Sequence, residues 1–141
     1  MTTPDCSTIP QVALDFMNTV HCEELTLVQS ISGLIDAESP DNNRISELLA
    51  QWVTHTEQHF ERENRYMQEY RFPAYPVHSH EHDAALEQIR QVQRQWDQQQ
   101  DIESLKQYLQ HDWPAWFKNH ISTMDFITAQ FLSQFDFEVE L

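Results

Sequence analysis

Apolar positions near the start of the chain recur with the spacing of one helical face. The intervals are three, four and seven residues, and the series includes one histidine: Leu14, Met17, His21, Leu25, Val28 and Ile35. Side chains at these intervals line one side of an α-helix. The pattern therefore predicts an amphipathic helix from about residue 12 to residue 36.

Prolines and polar residues divide the following stretch into two more helices. The sequence Ser39-Pro40-Asp41 supplies a capping residue and a first-turn proline, which predicts a second helix from about 40 to 70. The prolines within 72–76 cannot lie inside a helix. They separate the second helix from a third one, predicted over 76–98.

The last third of the chain predicts one further long helix. The polar stretch 98–101 is a boundary, and a short helical piece is expected over 105–110. Asp112 followed by Pro114 indicates the beginning of a fourth helix that reaches about residue 135. Four amphipathic helices with short connections predict an all-α fold, an up-down-up-down four-helix bundle.

Length and charge limit the class of protein. The 141 residues are expected to form a single domain, 1–141, with an extended N-terminal arm over 1–11 and an acidic end over 136–141. Only 8 lysines and arginines face 23 aspartates and glutamates, a net charge of -15 that argues against nucleic acid and anionic membranes as partners. The single glycine argues against a hairpin-rich β fold.

Cysteine usage and the lack of targeting signals favour a cytoplasmic protein. Cys6 and Cys22 show no paired spacing, and we expect Cys22 to be a small buried side chain rather than a thiolate ligand. No secretory leader and no membrane-spanning apolar run is visible in the sequence. A chain of this length needs no oligomer to hold a core, so we expect a monomer.

Seven histidines and carboxylates fall on the inner faces of the four predicted helices. Two pairs are four residues apart and so share a helical face, and a third pair is five residues apart, about 140° around a regular helix. The candidate ligands are His21, His59, Glu63, His78, His82, His120 and Asp125.

Taken singly, each of these residues has an ordinary explanation. A lone histidine on an apolar face is more often a hydrogen-bonded core residue, and a His–Glu pair is more often a solvated ion pair. Seven of them directed inward from four helices is different, because unpaired buried imidazoles and carboxylates are costly and a metal removes that cost. Nitrogen and carboxylate donors without thiolates suit iron, manganese or zinc.

The spacing of these residues resembles the hemerythrin family, notably the bacterial hemerythrins. Three strings carry the resemblance, which spans about residues 14 to 130: His59-Phe60-x-x-Glu63, Tyr75-Pro76-x-His78-x-x-x-His82 and Trp116-x-x-x-His120-Ile121-x-x-x-Asp125. The resemblance implies a non-haem di-iron centre, holding two iron ions, that binds dioxygen reversibly. By position, one iron would be held by His78, His82 and His120. The other would be held by His21 and His59, with Glu63 and Asp125 bridging the two.

The resemblance also implies a dry pocket for dioxygen. Four residues at family pocket positions are expected to exclude water: Phe60, Trp116, Phe117 and Ile121. The family usually has leucine three residues after the first-helix histidine, whereas this chain has Glu24 there, followed by Leu25. Either residue could border the pocket, and a slight rotation of the helix would bring Leu25 inward and leave Glu24 in water.

These features favour a non-enzymatic dioxygen-binding protein for storage, delivery or scavenging, alone or with an unidentified protein partner. Enzymes that activate dioxygen usually have more carboxylates at their di-iron sites. Two alternatives stay open. One is a di-iron enzyme that reduces peroxide or nitric oxide, with Glu24 as a proton donor, and the other is a metal-buffering bundle that never binds dioxygen.

The five-residue interval between His120 and Asp125 makes a local prediction. Residues at this interval share a face only where the helix widens into a π-turn. We therefore expect such a turn between the two residues.

Overall fold

The computed structural model describes residues 6–135, and that part of the chain consists of helices and short connections. A 3-10 turn over Cys6–Thr8 precedes α1 (Asp15–Ile35), α2 (Asn42–Glu69) and α3 (Tyr75–Gln99). The fourth helix, α4, runs over 102–132 and contains five segments: Ile102–Gln107, Tyr108–Asp112, Trp113–His120, Ile121–Asp125 and Phe126–Leu132. The predicted all-α four-helix bundle is confirmed.

Each helix packs on its neighbours in sequence, and α1 and α4 also pack on each other, which closes the bundle. α1 packs on α2, α2 on α3, α3 on α4, and α4 on α1. The connections 36–41, 70–74 and 100–101 are short, as antiparallel neighbours require. No helix within 6–135 is both long and apolar enough to span a membrane.

The N-terminal segment is folded against the bundle rather than extended. Asn18 holds the backbone of Val12 through two hydrogen bonds, of 2.9 Å to its N–H and 3.0 Å to its carbonyl, and α1 begins only at Asp15. Ile9 is 7% exposed and belongs to the core. The expectation of an arm over 1–11 was therefore wrong for 6–11. Residues 1–5 and the predicted acidic end 136–141 lie outside the described part.

The two cysteines form a disulfide, which corrects the expectation that they are unpaired. The Cα atoms of Cys6 and Cys22 lie 5.5 Å apart, across a sequence separation of 16. The bond ties the 3-10 turn to α1, one residue after His21. Because the cysteines are paired, the inference from their spacing to a reducing compartment loses its basis.

A capping side chain begins α2, and residues with left-handed backbone angles follow the ends of α2 and α3. The carboxylate of Asp41 accepts a hydrogen bond from the backbone of Arg44 (3.1 Å) at the start of α2. α2 and α3 end at residues with positive φ, Arg71 (55°) and Gln100 (47°). Glycine usually fills such positions, and this chain has one glycine, which lies elsewhere.

α4 begins earlier than predicted and continues through Pro114. Asp101 caps it by accepting from the backbone of Ser104 (3.3 Å), whereas Asp112 has helical angles and makes no capping hydrogen bond. The boundary predicted at Asp112 was wrong. A π segment over Tyr108–Asp112, closed by the N–H of Trp113 on the carbonyl of Tyr108, comes directly before the proline. A proline has no N–H and would leave a carbonyl of the preceding turn without its hydrogen bond. A π-turn shifts the hydrogen-bond register at that point, so the proline interrupts the helix less.

The buried face of α4 follows a period of four residues rather than 3.6. Its seven members are separated by six steps of four residues: Leu105, Leu109, Trp113, Phe117, Ile121, Asp125 and Ala129. In a regular helix each four-residue step overshoots a turn by about 40°, so this stripe would drift by about 240°. The two π segments, Tyr108–Asp112 and Ile121–Asp125, each insert about one residue and remove roughly 200° of that drift. The π-turn predicted between His120 and Asp125 is confirmed.

Candidate metal centre

The seven candidate ligands meet in the half of the bundle opposite the 36–41 connection. All are buried, none more than 4% exposed. α1 contributes His21, α2 contributes His59 and Glu63, α3 contributes His78 and His82, and α4 contributes His120 and Asp125. Each pair from one helix shares a face, because the α2 and α3 pairs are four residues apart and the α4 pair spans the π segment.

Their donor atoms form two groups that share Glu63. Within each group the atoms lie within 4.8 Å of one another. The larger group contains Glu63, His78, His82, His120 and Asp125, and the smaller contains His21, His59 and Glu63. Asp125 also faces the smaller group, since its Oδ2 lies 2.9 Å from Nε2 of His21. Both carboxylates thus lie between the two sets of histidines.

Several of these atoms are buried without a hydrogen-bond partner among residues 6–135. They include both ring nitrogens of His21, Nε2 of His82, Oε1 of Glu63 and both oxygens of Asp125. The 2.9 Å contact between Asp125 and His21 is short enough for an ion pair but lacks hydrogen-bond geometry. Folded proteins seldom leave buried polar atoms unpaired, and a cluster of them that converges on one place is typical of a cation site. The donor set of imidazoles and carboxylates fits iron.

The charges of the site also indicate a place for a cation. Burial and the charge of Asp125 raise the pKa of Glu63, but His59 and His82 outweigh them and hold it below the usual range. Burial lowers the pKa of His59, but the charge of Glu63 and the hydrogen bond to Glu24 raise it to about 10. Burial likewise lowers the pKa of His120, and Asp125 and Glu81 raise it to about 9. Without a metal, protons on imidazole rings balance the buried carboxylates.

The outward-facing nitrogens of four histidines are held by neighbouring side chains. Nδ1 of His78 lies 2.7 Å from the hydroxyl of Thr128, and Nδ1 of His82 lies 2.9 Å from the amide oxygen of Asn64. Carboxylates hold the other two: Nδ1 of His120 is 2.6 Å from Glu81, and Nδ1 of His59 is 3.4 Å from Glu24. Such contacts orient the rings with Nε2 toward the site.

Glu24 points inward, and Leu25 does not. Glu24 is 2% exposed and accepts from the indole N–H of Trp52 (2.7 Å), while Leu25 is only partly buried. The expected rotation that would leave Glu24 in water was wrong. Donor side chains on α2 make the inward position favourable, because they satisfy a carboxylate that would otherwise be costly to bury.

A cavity of about 10 Å³ adjoins His59, His120 and Asp125. That is roughly the space that one water-sized molecule needs. Its walls include three of the predicted pocket residues, Phe60, Trp116 and Phe117, together with Glu24. Ile121 is fully buried but packs in the core instead, and Leu25 lines an outer groove with Ile9.

Sequence reasoning missed five residues of the site. Trp113 and Thr56 line the cavity, and the histidine partners are Asn64, Glu81 and Thr128. One signal was available for Glu81 and Asn64, since each lies within one residue of a candidate ligand on the same helix. Thr128 contacts His78 across a separation of 50 residues, which no local pattern predicts.

The fold and the donor set define a class, helical-bundle proteins with a dinuclear metal centre. The family described as the hemerythrin HHE cation binding domain matches residues 12–132. A bacteriohemerythrin of Aquifex aeolicus is 31% identical over 115 residues, covering 82% of this chain and 86% of that protein. A bacteriohemerythrin of Ralstonia nicotianae is 32% identical over 114 residues, covering 81% of this chain and 77% of that protein. No solved structure gave a significant match.

The chain belongs to the hemerythrin family, which confirms the resemblance seen in its motifs. Its buried histidines and carboxylates suit the cofactor of that family, a pair of iron ions.

Proposed function

We propose that this protein binds dioxygen reversibly at a di-iron centre. The observation that carries the proposal is the set of unpaired buried donor atoms from four helices, which converge beside a cavity the size of one small molecule. When bound, the pair of iron(II) ions supplies the two electrons that reversible dioxygen binding requires.

We assign the ligands by the two groups of donor atoms. His78, His82 and His120 would hold one ion, and His21 and His59 would hold the other. Glu63 and Asp125 lie between the two sets of histidines and would contribute an oxygen to both ions. The cavity adjoins one histidine of each set, His59 and His120. The second ion would have one histidine fewer, so we assign the entry of a small molecule to that side.

Aromatic side chains keep the cavity small and dry. Phe60 stacks on His82 with ring centroids 4.1 Å apart, and Trp116 stacks on His120 at 4.7 Å. Phe117 meets His21 edge-on at 5.8 Å. These rings cover the ligands and leave little room for water beside them.

One observation favours the alternative of a di-iron enzyme that reduces peroxide or nitric oxide. Glu24 lines the cavity and contacts His55, whose side chain is 23% exposed, so polar groups connect the cavity to solvent. A connection of this kind would help proton delivery. Against it, every donor near Glu24 points at the carboxylate, which therefore acts as an acceptor.

Visible absorption of the anaerobic iron(II) protein, recorded before and after exposure to air, separates these functions. A band that appears with dioxygen and disappears when dioxygen is removed is the expected result. Prompt conversion to iron(III) without a reversible band would favour the enzyme. A protein that takes up no iron would contradict both and leave only a buffer for other metals.

Glu24→Leu tests the enzyme alternative directly. If Glu24 hastens loss of the dioxygen form, the leucine variant should keep that form longer than the natural protein across neutral pH. Equal or faster loss in variant protein that still holds both ions would show that Glu24 supplies no proton to the cavity.

A further inference from the structure

Four donor side chains on one face of α2 surround the carboxylate of Glu24. Trp52 donates to Oε2 at 2.7 Å, and the Thr56 hydroxyl lies 3.1 Å from Oε1. Nδ1 of His55 lies 2.8 Å and Nδ1 of His59 lies 3.4 Å from the same Oε1. The spacing 52, 55, 56 and 59 places all four on adjacent positions of the helix surface.

This arrangement fixes the carboxylate in one orientation. Trp52 holds Oε2 and His55 holds Oε1. His59 and the Thr56 hydroxyl, which also lies 2.9 Å from the Trp52 carbonyl, are further contacts of Oε1. With both oxygens held and Glu24 only 2% exposed, the carboxylate has little room to turn. Glu24 is therefore a rigid acceptor placed against the back of His59.

The two nitrogens of His59 face in opposite directions. Nδ1 faces Glu24, while Nε2 lies 2.6 Å from Oε2 of Glu63 and so faces the site. A neutral imidazole carries its proton on one nitrogen only, and a metal requires the lone pair of the other. An acceptor fixed at Nδ1 keeps the proton there and leaves Nε2 for the metal.

We propose that Glu24 is a positioning residue for the two-histidine metal site: it orients His59 and holds its proton on Nδ1. This inference rests on the ligand assignment above. The three-histidine site has a counterpart, since Glu81 holds Nδ1 of His120 at 2.6 Å. Each site then has one histidine that is backed by a carboxylate, and Glu24 serves the side with fewer ligands.

The test measures metal binding, not dioxygen binding. Anaerobic titration with iron(II), with cobalt(II) as a second probe, gives the number of ions bound per chain and the two affinities. Glu24→Leu should bind one ion with nearly natural affinity and the other about 10- to 100-fold more weakly, the usual effect of losing such a partner. Glu24→Gln keeps an acceptor oxygen and should recover part of that loss.

Two controls separate positioning from a general effect on folding. Glu23→Gln makes the same change at the neighbouring residue, whose side chain is 57% exposed, and should bind both ions as the natural protein does. In zinc-loaded protein, the Nδ1 proton of His59 should give a slowly exchanging NMR signal that Glu24→Leu loses and Glu24→Gln retains.

The outcomes are distinguishable. If the natural protein does not bind two ions, the proposed function fails. If the natural protein binds two ions and Glu24→Leu binds both equally well, only the role of Glu24 is overturned. An equal weakening of both ions in Glu24→Leu and Glu24→Gln would also overturn it, because that pattern indicates general destabilisation.

Discussion

The two halves of the bundle use the same four helices but bury different chemistry. The half near the 36–41 and 100–101 connections, here the apolar half, is filled by side chains such as Ile31, Leu49 and Trp96. The other half, the polar half, contains the candidate ligands. All the buried polar side chains found between residues 6 and 135 lie there: His21, Glu24, Thr56, His59, Glu63, His78, His82, His120, Asp125 and Thr128.

The difference teaches that the two halves depend on different conditions. Apolar burial contributes about 25 cal/mol per Å² and involves neither protons nor metal ions. Buried imidazoles and carboxylates contribute only when their charges and lone pairs are satisfied. The stability of the polar half should therefore vary with metal and pH, and that of the apolar half should not.

Removing the metal should have the largest effect. Binding free energy adds to folding free energy, so a metal at a thousandfold excess over its Kd stabilises by about 4 kcal/mol. We expect metal-free protein to melt on the order of 10 °C below the loaded form. His82→Ala should lose both metal and this increment, as measured by calorimetry with metal analysis.

Leu49→Ala in the apolar half is the control for that experiment. Leu49 is 1% exposed, and its truncation should cost about 2–5 kcal/mol in both forms. The difference between loaded and metal-free melting temperatures should be the same in this variant as in the natural protein. If metal-free and loaded protein melt together, the metal contributes nothing to the fold.

Raising the pH of the metal-free protein should have the second-largest effect, a loss of folding stability. The pKa of His59 is raised to about 10 and that of His120 to about 9, so the folded state binds more protons than the unfolded chain above the ordinary histidine pKa. Stability is then lost as pH rises through this window, by at most about 1.4 kcal/mol per pH unit for each ring. Thermal melts between about pH 7 and 9 should show this slope without metal and a much smaller one with it. Parallel slopes would contradict the assignment of these rings as ligands.

Breaking the disulfide should lower the free energy of unfolding by a smaller amount than raising the pH does. Closing a loop of about 15 residues stabilises by about 3 kcal/mol through the unfolded state, and often by less. Cys22→Ser should lower the free energy of unfolding by up to that amount in denaturant titrations. Adding a reductant to the natural protein should have the same effect and should leave the serine variant unchanged, whereas a reductant effect on both would point to another cause.

Gly33→Ala should give the smallest change, and in the opposite direction. Gly33 is an exposed helical residue of α1, and a Cβ built there meets nothing within 4 Å. Alanine should stabilise the helix by about 0.5–1 kcal/mol. The gain should be the same with and without metal, and a gain seen only in the loaded form would show that the two halves are coupled.

Much of the fold was predictable because it depends on the spacing of residues that are close in the sequence. The i, i+3, i+4 pattern of α1 and the prolines of 72–76 predicted helices to within a few residues of their observed limits. The five-residue interval from His120 to Asp125 predicted the second π segment. The first π segment also had a signal, the four-residue period of Leu105, Leu109 and Trp113. The sequence from Asp112 to Pro114 obscured it by imitating the start of a helix.

The misses concern contacts between distant parts of the chain. A helical wheel places Glu24 and Leu25 at similar angles from His21, and only the donors on α2 decide which turns inward. The pairing of Cys6 with Cys22 depends on how the N-terminal segment folds back onto α1, which no spacing rule gives. Both outcomes are set by packing rather than by pattern.

The two π segments of α4 also determine how the protein tolerates changes in length. Deleting one residue within Ile121–Asp125 would let a regular helix form and would leave the later residues on their present faces, because the π segment holds one residue more than a regular helix needs. The same deletion within the regular segment Trp113–His120 would rotate everything after it by about 100°, and Leu132, now fully buried, would move off the core face. The π segments are thus the places in the fourth helix where the loss of a single codon keeps the same residues facing the core.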